Sequence, residues 1–238
     1  MTVITLTIDD RELAVEEGTT ILQAAREAGI PIPTLCHLDG VSDVGACRLC
    51  LVEIQGIGKL QPSCMATVAE GMQVRTQTET LQSYRRQVVE LFFAEGNHVC
   101  SICVANGNCE LQDAAIAVGM DHSRFPYRFP DRGVDASHPL FVLDHNRCIL
   151  CTRCVRVCDE VEGAHVWDVA MRGEQCRIIA GMDQPWGEVD ACTSCGKCVE
   201  ACPTGALYRQ GLTTAESVHD AGRSAFLIEA REKQQWTR

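Results

Sequence analysis

Along the first 78 residues the apolar positions alternate and then change period. Residues 3–8 alternate apolar and hydroxyl side chains, which predicts a strand. Asp9 and Asp10 suit a turn into a second short strand over 12–15. Thr19 or Thr20 is placed to cap a helix carrying Ile21, Ala24, Ala25 and Ala28, and Gly29 and Pro31 stop it. A cysteine-bearing loop follows, then strands near 51–54, 62–68 and 72–76, with a turn at 56–58. Two strands, a helix, a loop and further strands predict a grasp-like sheet wrapped over one helix. Residues 80–93 read as a second helix with a stripe of Leu81, Tyr84, Val88, Leu91 and Phe92. A short helix is expected over 110–118. Residues 121–140 hold Pro126, Pro130 and Pro139 and little periodicity, so they read as an extended linker anchored by Phe125, Tyr127 and Phe129. One cysteine run then occurs twice within 145–208. From Thr213 or Thr214 a polar helix is expected, its end frayed or in contact with a partner.

These patterns predict an α+β, multidomain chain. Residues 1–78 form a β-grasp domain, 79–120 a small helical domain, 121–144 a linker, 145–208 a ferredoxin-like domain and 209–238 a C-terminal helix or tail.

Cysteine changes what this fold is for. There are 16 in 238 residues. The start, MTVITLTIDD, has neither a basic segment nor an apolar signal core, so a cytoplasmic chain is expected, any membrane association being carried by a complex. In a reducing compartment dense cysteine means metal or redox chemistry rather than a disulfide framework. The charge balance, 21 basic against 32 acidic residues and a formal net −11, argues against a nucleic-acid partner. No run of 18 apolar residues predicts a transmembrane segment.

The repeat is the strongest signal. Cys148-x2-Cys151-x2-Cys154-x3-Cys158 is followed by Cys192-x2-Cys195-x2-Cys198-x3-Cys202-Pro203. In two-cluster bacterial ferredoxins the fourth cysteine of such a run ligates the other cluster. Cys148, Cys151, Cys154 and Cys202 are therefore assigned to one [4Fe-4S] cluster, and Cys158, Cys192, Cys195 and Cys198 to another. Two zinc sites are the alternative, but zinc explains neither the third cysteine of each run nor Pro203.

Cys36, Cys47, Cys50 and Cys64 form an earlier group, with Gly45 and Ala46 beside the tight pair. A zinc ribbon competes on spacing alone. The grasp-like sheet and the other clusters favour [2Fe-2S]. The group between them has three cysteines, Cys100, Cys103 and Cys109, and His98 supplies the missing fourth ligand. One histidine for one thiolate removes a negative charge and tends to raise the potential. The expected cofactors are one [2Fe-2S] and three [4Fe-4S] clusters, about 14 iron atoms in all. Cys176 is left over and reads as a buried apolar residue in a strand near 177–180. Arg48, Arg153, Arg156 and Lys197 are cations placed to stabilise reduced clusters, and His37 is a candidate for orienting the first site. Trp167 and Trp186 read as packing residues.

No GxGxxG motif opens a βαβ unit, and Gly56-x-Gly58-Lys59 lacks the rest of a phosphate loop. No catalytic constellation stands out. The chain reads as a relay of one-electron carriers whose terminal chemistry belongs to partner subunits.

The order of sites resembles the N-terminal part of the large iron–sulfur subunit of complex I and the N-terminal region of diiron hydrogenases. Both usually place three residues between the histidine and the first cysteine of the second group, whereas one lies between His98 and Cys100. Over nearly its whole length the chain is more similar to the small iron–sulfur diaphorase subunit of the bidirectional NAD(P)-linked NiFe hydrogenase, cyanobacterial type. The likeness lies in residues 33–37 (PTLCH), 95–100 (EGNHVC), 106–112 (NGNCELQ), 121–125 (DHSRF) and 146–154 (NRCILCTRC). It implies a hydrogen:NAD(P)+ oxidoreductase complex. Its FMN and NAD(P) sites lie in a flavoprotein subunit and its NiFe centre in hydrogenase small and large subunits. Ferredoxin or flavodoxin are further exchange partners. The chain itself then carries electrons and has no substrate site. The alternatives are the equivalent relay of a complex I-type NADH dehydrogenase or an NAD-dependent formate dehydrogenase, or a structural zinc scaffold.

Overall fold

A computed structural model describes residues 2–214 and 216. The expected C-terminal helix lies outside the described residues. Along the chain run β1 (Val3–Ile8), β2 (Arg11–Glu16), α1 (Ile21–Glu27), β3 (Leu51–Ile54), β4 (Gln61–Pro62), β5 (Gln73–Arg75) and α2 (Glu79–Glu95). Then come α3 (Glu110–Ala117), β6 (Val134–Asp135), β7 (Phe141–Asp144), α4 (Arg153–Arg156), β8 (Trp167–Ala170), β9 (Arg177–Ala180), α5 (Lys197–Ala201) and β10 (Leu207–Arg209). Their contacts define two compact units among the described residues, one of 2–37, 43–91 and 114–122, the other of 38–42, 92–113 and those described from 123 onward.

The first unit is a five-stranded sheet in the order β2-β1-β5-β3-β4, with β1 and β5 parallel and the other pairs antiparallel. Thr20 caps α1, its hydroxyl accepting from the Gln23 amide at 3.2 Å. The apolar face of α1 (Ile21, Leu22, Ala24, Ala25) joins Leu6, Ile8, Val52, Ile54 and Val74 in one core that also contains Cys50 and Cys64. The strand expected over 62–68 stops after two residues. The amides of Met65 and Ala66 both turn back to the Pro62 carbonyl at 3.0 Å, which bends the chain where Cys64 must face inward. The face that α2 buries also differs from the expected stripe: it is Leu81, Arg85 and Val89, while Tyr84 and Leu91 are exposed. An arginine sits where periodicity anticipates an apolar side chain, and the reason lies in the loop it supports.

The second unit holds two small sheets, β10-β7-β6 and the hairpin β8-β9. Its core gathers Phe141, Leu143, Val157, Val161, Trp167, Ile178, Trp186 and the buried cysteines of both runs. Residues 121–140 include the short strand β6, and of their aromatics Tyr127 and Phe129 are exposed, so they are not the anchors the pattern suggested. Cys176 is half-exposed and precedes β9 at the end of a 3-10 turn, where the preceding residues leave it no place in the sheet.

Candidate functional site

None of the 16 cysteines is in a disulfide. The first unit brings Cys36, Cys47, Cys50 and Cys64 together, each fully or nearly buried. The Sγ atoms of Cys50 and Cys64 lie 3.4 Å apart, and the Leu35 amide donates to Cys47 Sγ at 3.4 Å. The proximity divides the protons. Cys47 is drawn down to about 7 by the bond from the Cys36 thiol, and Cys36 is pushed up by the same bond and by burial. Cys50 falls likewise to about 7 and Cys64 rises. Arg85 braces this loop. Its buried guanidinium donates to the carbonyls of Leu49 (3.1 Å), Leu51 (3.0 Å) and Thr76 (2.9 Å). His37 Nδ1 lies 2.7 Å from Asp43 Oδ1, and Arg48 is exposed at a positive φ of 57°.

In the second unit, His98, Cys100, Cys103 and Cys109 line a small hollow together with Phe93, Arg147 and Gly205. The His98 ring packs on Phe93 at 5.4 Å, and its Nε2 is buried with no hydrogen-bond partner. A buried imidazole nitrogen without a partner is costly unless something outside the protein satisfies it. Burial, with Arg147 and Arg132 adding to it, holds His98 down at about 4, so the ring is neutral and one of its two nitrogens carries a lone pair. Two glycines make the hollow possible: a Cβ at Gly96 would come within 2.6 Å of the His98 ring, and one at Gly205 would collide with Cys103 Sγ. Cys109 is pushed up to about 11 by burial.

In the repeat, electrostatic coupling runs between the two runs, and Cys154 also feels Cys198. Cys202 shares an electrostatic environment with Cys148, Cys151 and Cys154, and Cys158 with Cys192, Cys195 and Cys198. Cys158 lies in the π-helical turn 157–162 that continues α4, and Cys202 caps the end of α5. Cys158, Cys192, Cys195 and Cys198 line a second small hollow with Trp167 and Trp186. Burial pushes Cys148 to about 11 and Cys151 to about 12, and Cys154, Cys158 and Cys198 are also raised. Buried thiols of this kind ionise when a soft metal takes their protons' place. Among the described residues no three His, Cys, Asp or Glu side chains converge on a single-ion position. Thiols around hollows, with an orphaned imidazole nitrogen in one of them, suit iron–sulfur clusters.

Charges surround the second unit's thiols. Arg153 forms a bidentate pair with Glu110 at 2.6 and 2.8 Å, and Arg156 donates to the Cys151 carbonyl at 3.2 Å. Lys197 pairs with buried Glu162, which also accepts from Thr193 at 2.7 Å. Arg85, Arg147 and Gly205 were missed from sequence. Arg147 directly precedes Cys148 and could have been suspected; nothing in the sequence marks the others.

This is the architecture of a multi-cluster iron–sulfur electron carrier. Residues 1–79 match the family described as a 2Fe-2S iron-sulfur cluster binding domain. Residues 85–124 match the NADH-ubiquinone oxidoreductase-G iron-sulfur binding region, and 138–208 the ferredoxin-like domain of NADH-quinone oxidoreductase subunit 3. The chain is 40% identical over 176 residues to the gamma subunit of the NAD-reducing hydrogenase HoxS of Cupriavidus necator, covering 74% of each. It is 42% identical to the second G-type subunit of NADH-quinone oxidoreductase of Rhizobium meliloti, with 86% of this chain covered. A chain in the crystal structure of an NAD+-reducing [NiFe]-hydrogenase in the H2-reduced state superposes with a TM-score of 0.82 at 39% identity, covering 88% of both chains. The chain belongs to the family of iron–sulfur relay subunits found in NAD(P)-linked hydrogenases and complex I-like dehydrogenases. It spans about a quarter of the length of some curated relatives, 24% of the Rhizobium protein among them. Among the described residues no helix is long and apolar enough to cross a membrane.

Proposed function

We propose that the chain relays single electrons in an NAD(P)-linked bidirectional NiFe hydrogenase of the cyanobacterial type, between a flavoprotein subunit carrying FMN and the NAD(P) site and the hydrogenase small and large subunits. The ligands are Cys36, Cys47, Cys50 and Cys64 for [2Fe-2S] and His98, Cys100, Cys103 and Cys109 for one [4Fe-4S]. Cys148, Cys151, Cys154 and Cys202 hold a second [4Fe-4S], and Cys158, Cys192, Cys195 and Cys198 a third. The buried and unpartnered Nε2 of His98, a residue that lines one hollow with Cys100, Cys103 and Cys109, carries this reading. When bound, such clusters supply reversible one-electron storage.

The chain's own residues prepare those sites. Arg85 pins the carbonyls of the first loop, so Cys47 and Cys50 are presented without rearrangement. Phe93 and Arg147 flank His98 and keep its ring neutral. Arg153 and Arg156 bring positive charge to the first run of the repeat, offsetting the negative charge that reduction adds. The likeness to most of a hydrogenase chain supports the hydrogenase setting. The near-equal identity to the Rhizobium NADH-quinone oxidoreductase protein supports a second reading, the same relay in another NAD-linked dehydrogenase.

The test is metal analysis of the anaerobically purified native complex with every co-purifying subunit identified. About 14 iron in this chain and nickel in a partner are expected. Iron without nickel moves the relay to the second reading, and zinc in place of iron overturns it. Replacing His98 with Ala should abolish or alter one [4Fe-4S] EPR signal and leave the other three clusters. Unchanged iron and spectra would remove His98 from the ligand set.

A further inference from the structure

Trp186 differs from the other apolar residues of its core in what its one polar side-chain atom does. The side chain is buried and its indole Nε1–H donates to Cys192 Sγ at 3.3 Å. The ring is walled in by His138 at 4.7 Å, Trp167 edge-on at 4.7 Å and Phe141 stacked at 5.5 Å. The backbone is held as firmly. The Trp186 amide donates to the Asp135 carboxylate at 2.7 Å and the Gly187 amide to the Ser137 hydroxyl at 2.9 Å.

Two neighbours extend the pattern. The Leu140 amide donates to His138 Nδ1 at 3.1 Å, so in the neutral ring the proton sits on Nε2. That nitrogen lies 3.1 Å from Ser194 Oγ and 3.8 Å from Cys192 Sγ. The Trp167 ring lines the same hollow as Trp186. Cys192 Sγ therefore faces two side-chain nitrogens set among aromatic rings, the Trp186 indole at 3.3 Å and His138 Nε2 at 3.8 Å. The internal repeat supplies a control. Trp186 stands six residues before Cys192, and the residue six before Cys148 is Val142, which has no side-chain donor.

We infer that Trp186 sets the reduction potential of the site formed by Cys158, Cys192, Cys195 and Cys198, its indole N–H stabilising the reduced form and so separating this site from its twin in the repeat. One-electron reduction adds one negative charge without adding a proton. Part of that charge falls on the cysteine sulfurs, and a hydrogen bond to sulfur strengthens as the charge grows, most of all away from water. Trp186 touches a ligand and not a substrate, so it is a positioning and tuning residue. The inference rests on the ligand assignment proposed above.

The experiment is an EPR-monitored redox titration of the native complex with Trp186→Phe, which keeps the aromatic packing and removes the donor. The midpoint of this one cluster should fall by about 59 mV, a tenfold shift in its oxidised-to-reduced ratio at fixed potential, while the other clusters keep theirs. A full signal with an unchanged midpoint overturns the inference. Should the variant fail to assemble, pulsed EPR on the Trp167→Phe complex grown with indole-15N tryptophan decides, because Trp186 is then the labelled indole that lines this site. A 15N coupling to the reduced cluster is expected, and its absence overturns the inference. A wild-type complex with no signal from this site would instead remove the ligand assignment, and the inference with it.

Discussion

Arg85→Met should unfasten the first cysteine loop while leaving its cysteines in place. Arg85 is 1% exposed, and its three donated bonds reach carbonyls on both sides of Cys50 and one at the end of β5. Methionine fills similar space but donates nothing. Each buried carbonyl left without a donor costs about 1–3 kcal/mol. Part of that is recovered, because the arginine itself resists burial, which pushes its pKa down. The net loss expected is about 3–5 kcal/mol, a large share of the roughly 5–15 kcal/mol by which domains are stable. Arg85→Lys restores the charge, but one ammonium cannot span three carbonyls set around a planar fork, so it should recover less than half of the loss. The assay is urea unfolding of the reconstituted full chain, followed by the visible circular dichroism of the first site, with iron content measured alongside. The methionine variant should shift the midpoint strongly down and retain less of that signal. A shift of under about 1 kcal/mol with full iron would refute the argument that these carbonyls depend on Arg85.

Lys197 and Glu162 form an ion pair whose side chains are 6% and 3% exposed. Lys197→Met alone should cost about 3–5 kcal/mol by stranding a buried carboxylate, and the double change with Glu162→Met should regain most of it, as read by thermal unfolding. If the double variant is no better than the single one, the pair does not act as a unit. Burial alone would raise the pKa of Asp135, but the Ser137 hydroxyl and the Trp186 and Ser137 amides outweigh it and hold the carboxyl below its usual value. Such a group stabilises the fold above its unfolded pKa and loses that contribution as pH falls through the depressed folded one. Asp135→Asn should therefore cost about 1–2 kcal/mol at pH 7, the gap closing below about pH 4. Stability curves for both proteins that run parallel from pH 3 to 7 would contradict this. The expectation for His98→Ala stands beside these: one altered [4Fe-4S] signal and three intact clusters.

Much of the secondary structure was legible because it obeys short-range rules. β1, β2, the Thr20 cap of α1 and the strand at β9 follow from alternation, capping and turn residues a few positions apart. The errors share a cause. A charge at position 85 breaks an apolar stripe unless one knows that three carbonyls wait beneath it. Aromatics at 127 and 129 resemble anchors until the structure leaves them in solvent. Cys176 reads as core because cysteine is often buried, yet its backbone turns before the strand begins.

The sequence alone predicts the chemistry of this chain. Thiolates spaced two residues apart, a proline after the last, and one histidine where a fourth cysteine is missing are local facts, and the geometry of a cluster-binding loop is itself local. Tertiary structure decided which distant residues serve those loops. The orphaned nitrogen of His98, the close passage of Gly205 by Cys103, the grip of Arg85 and the indole of Trp186 on Cys192 join residues through folding. Such contacts have no period and no fixed spacing. They exist only once burial has removed water and left each polar atom to find its partner within the protein or within what it binds.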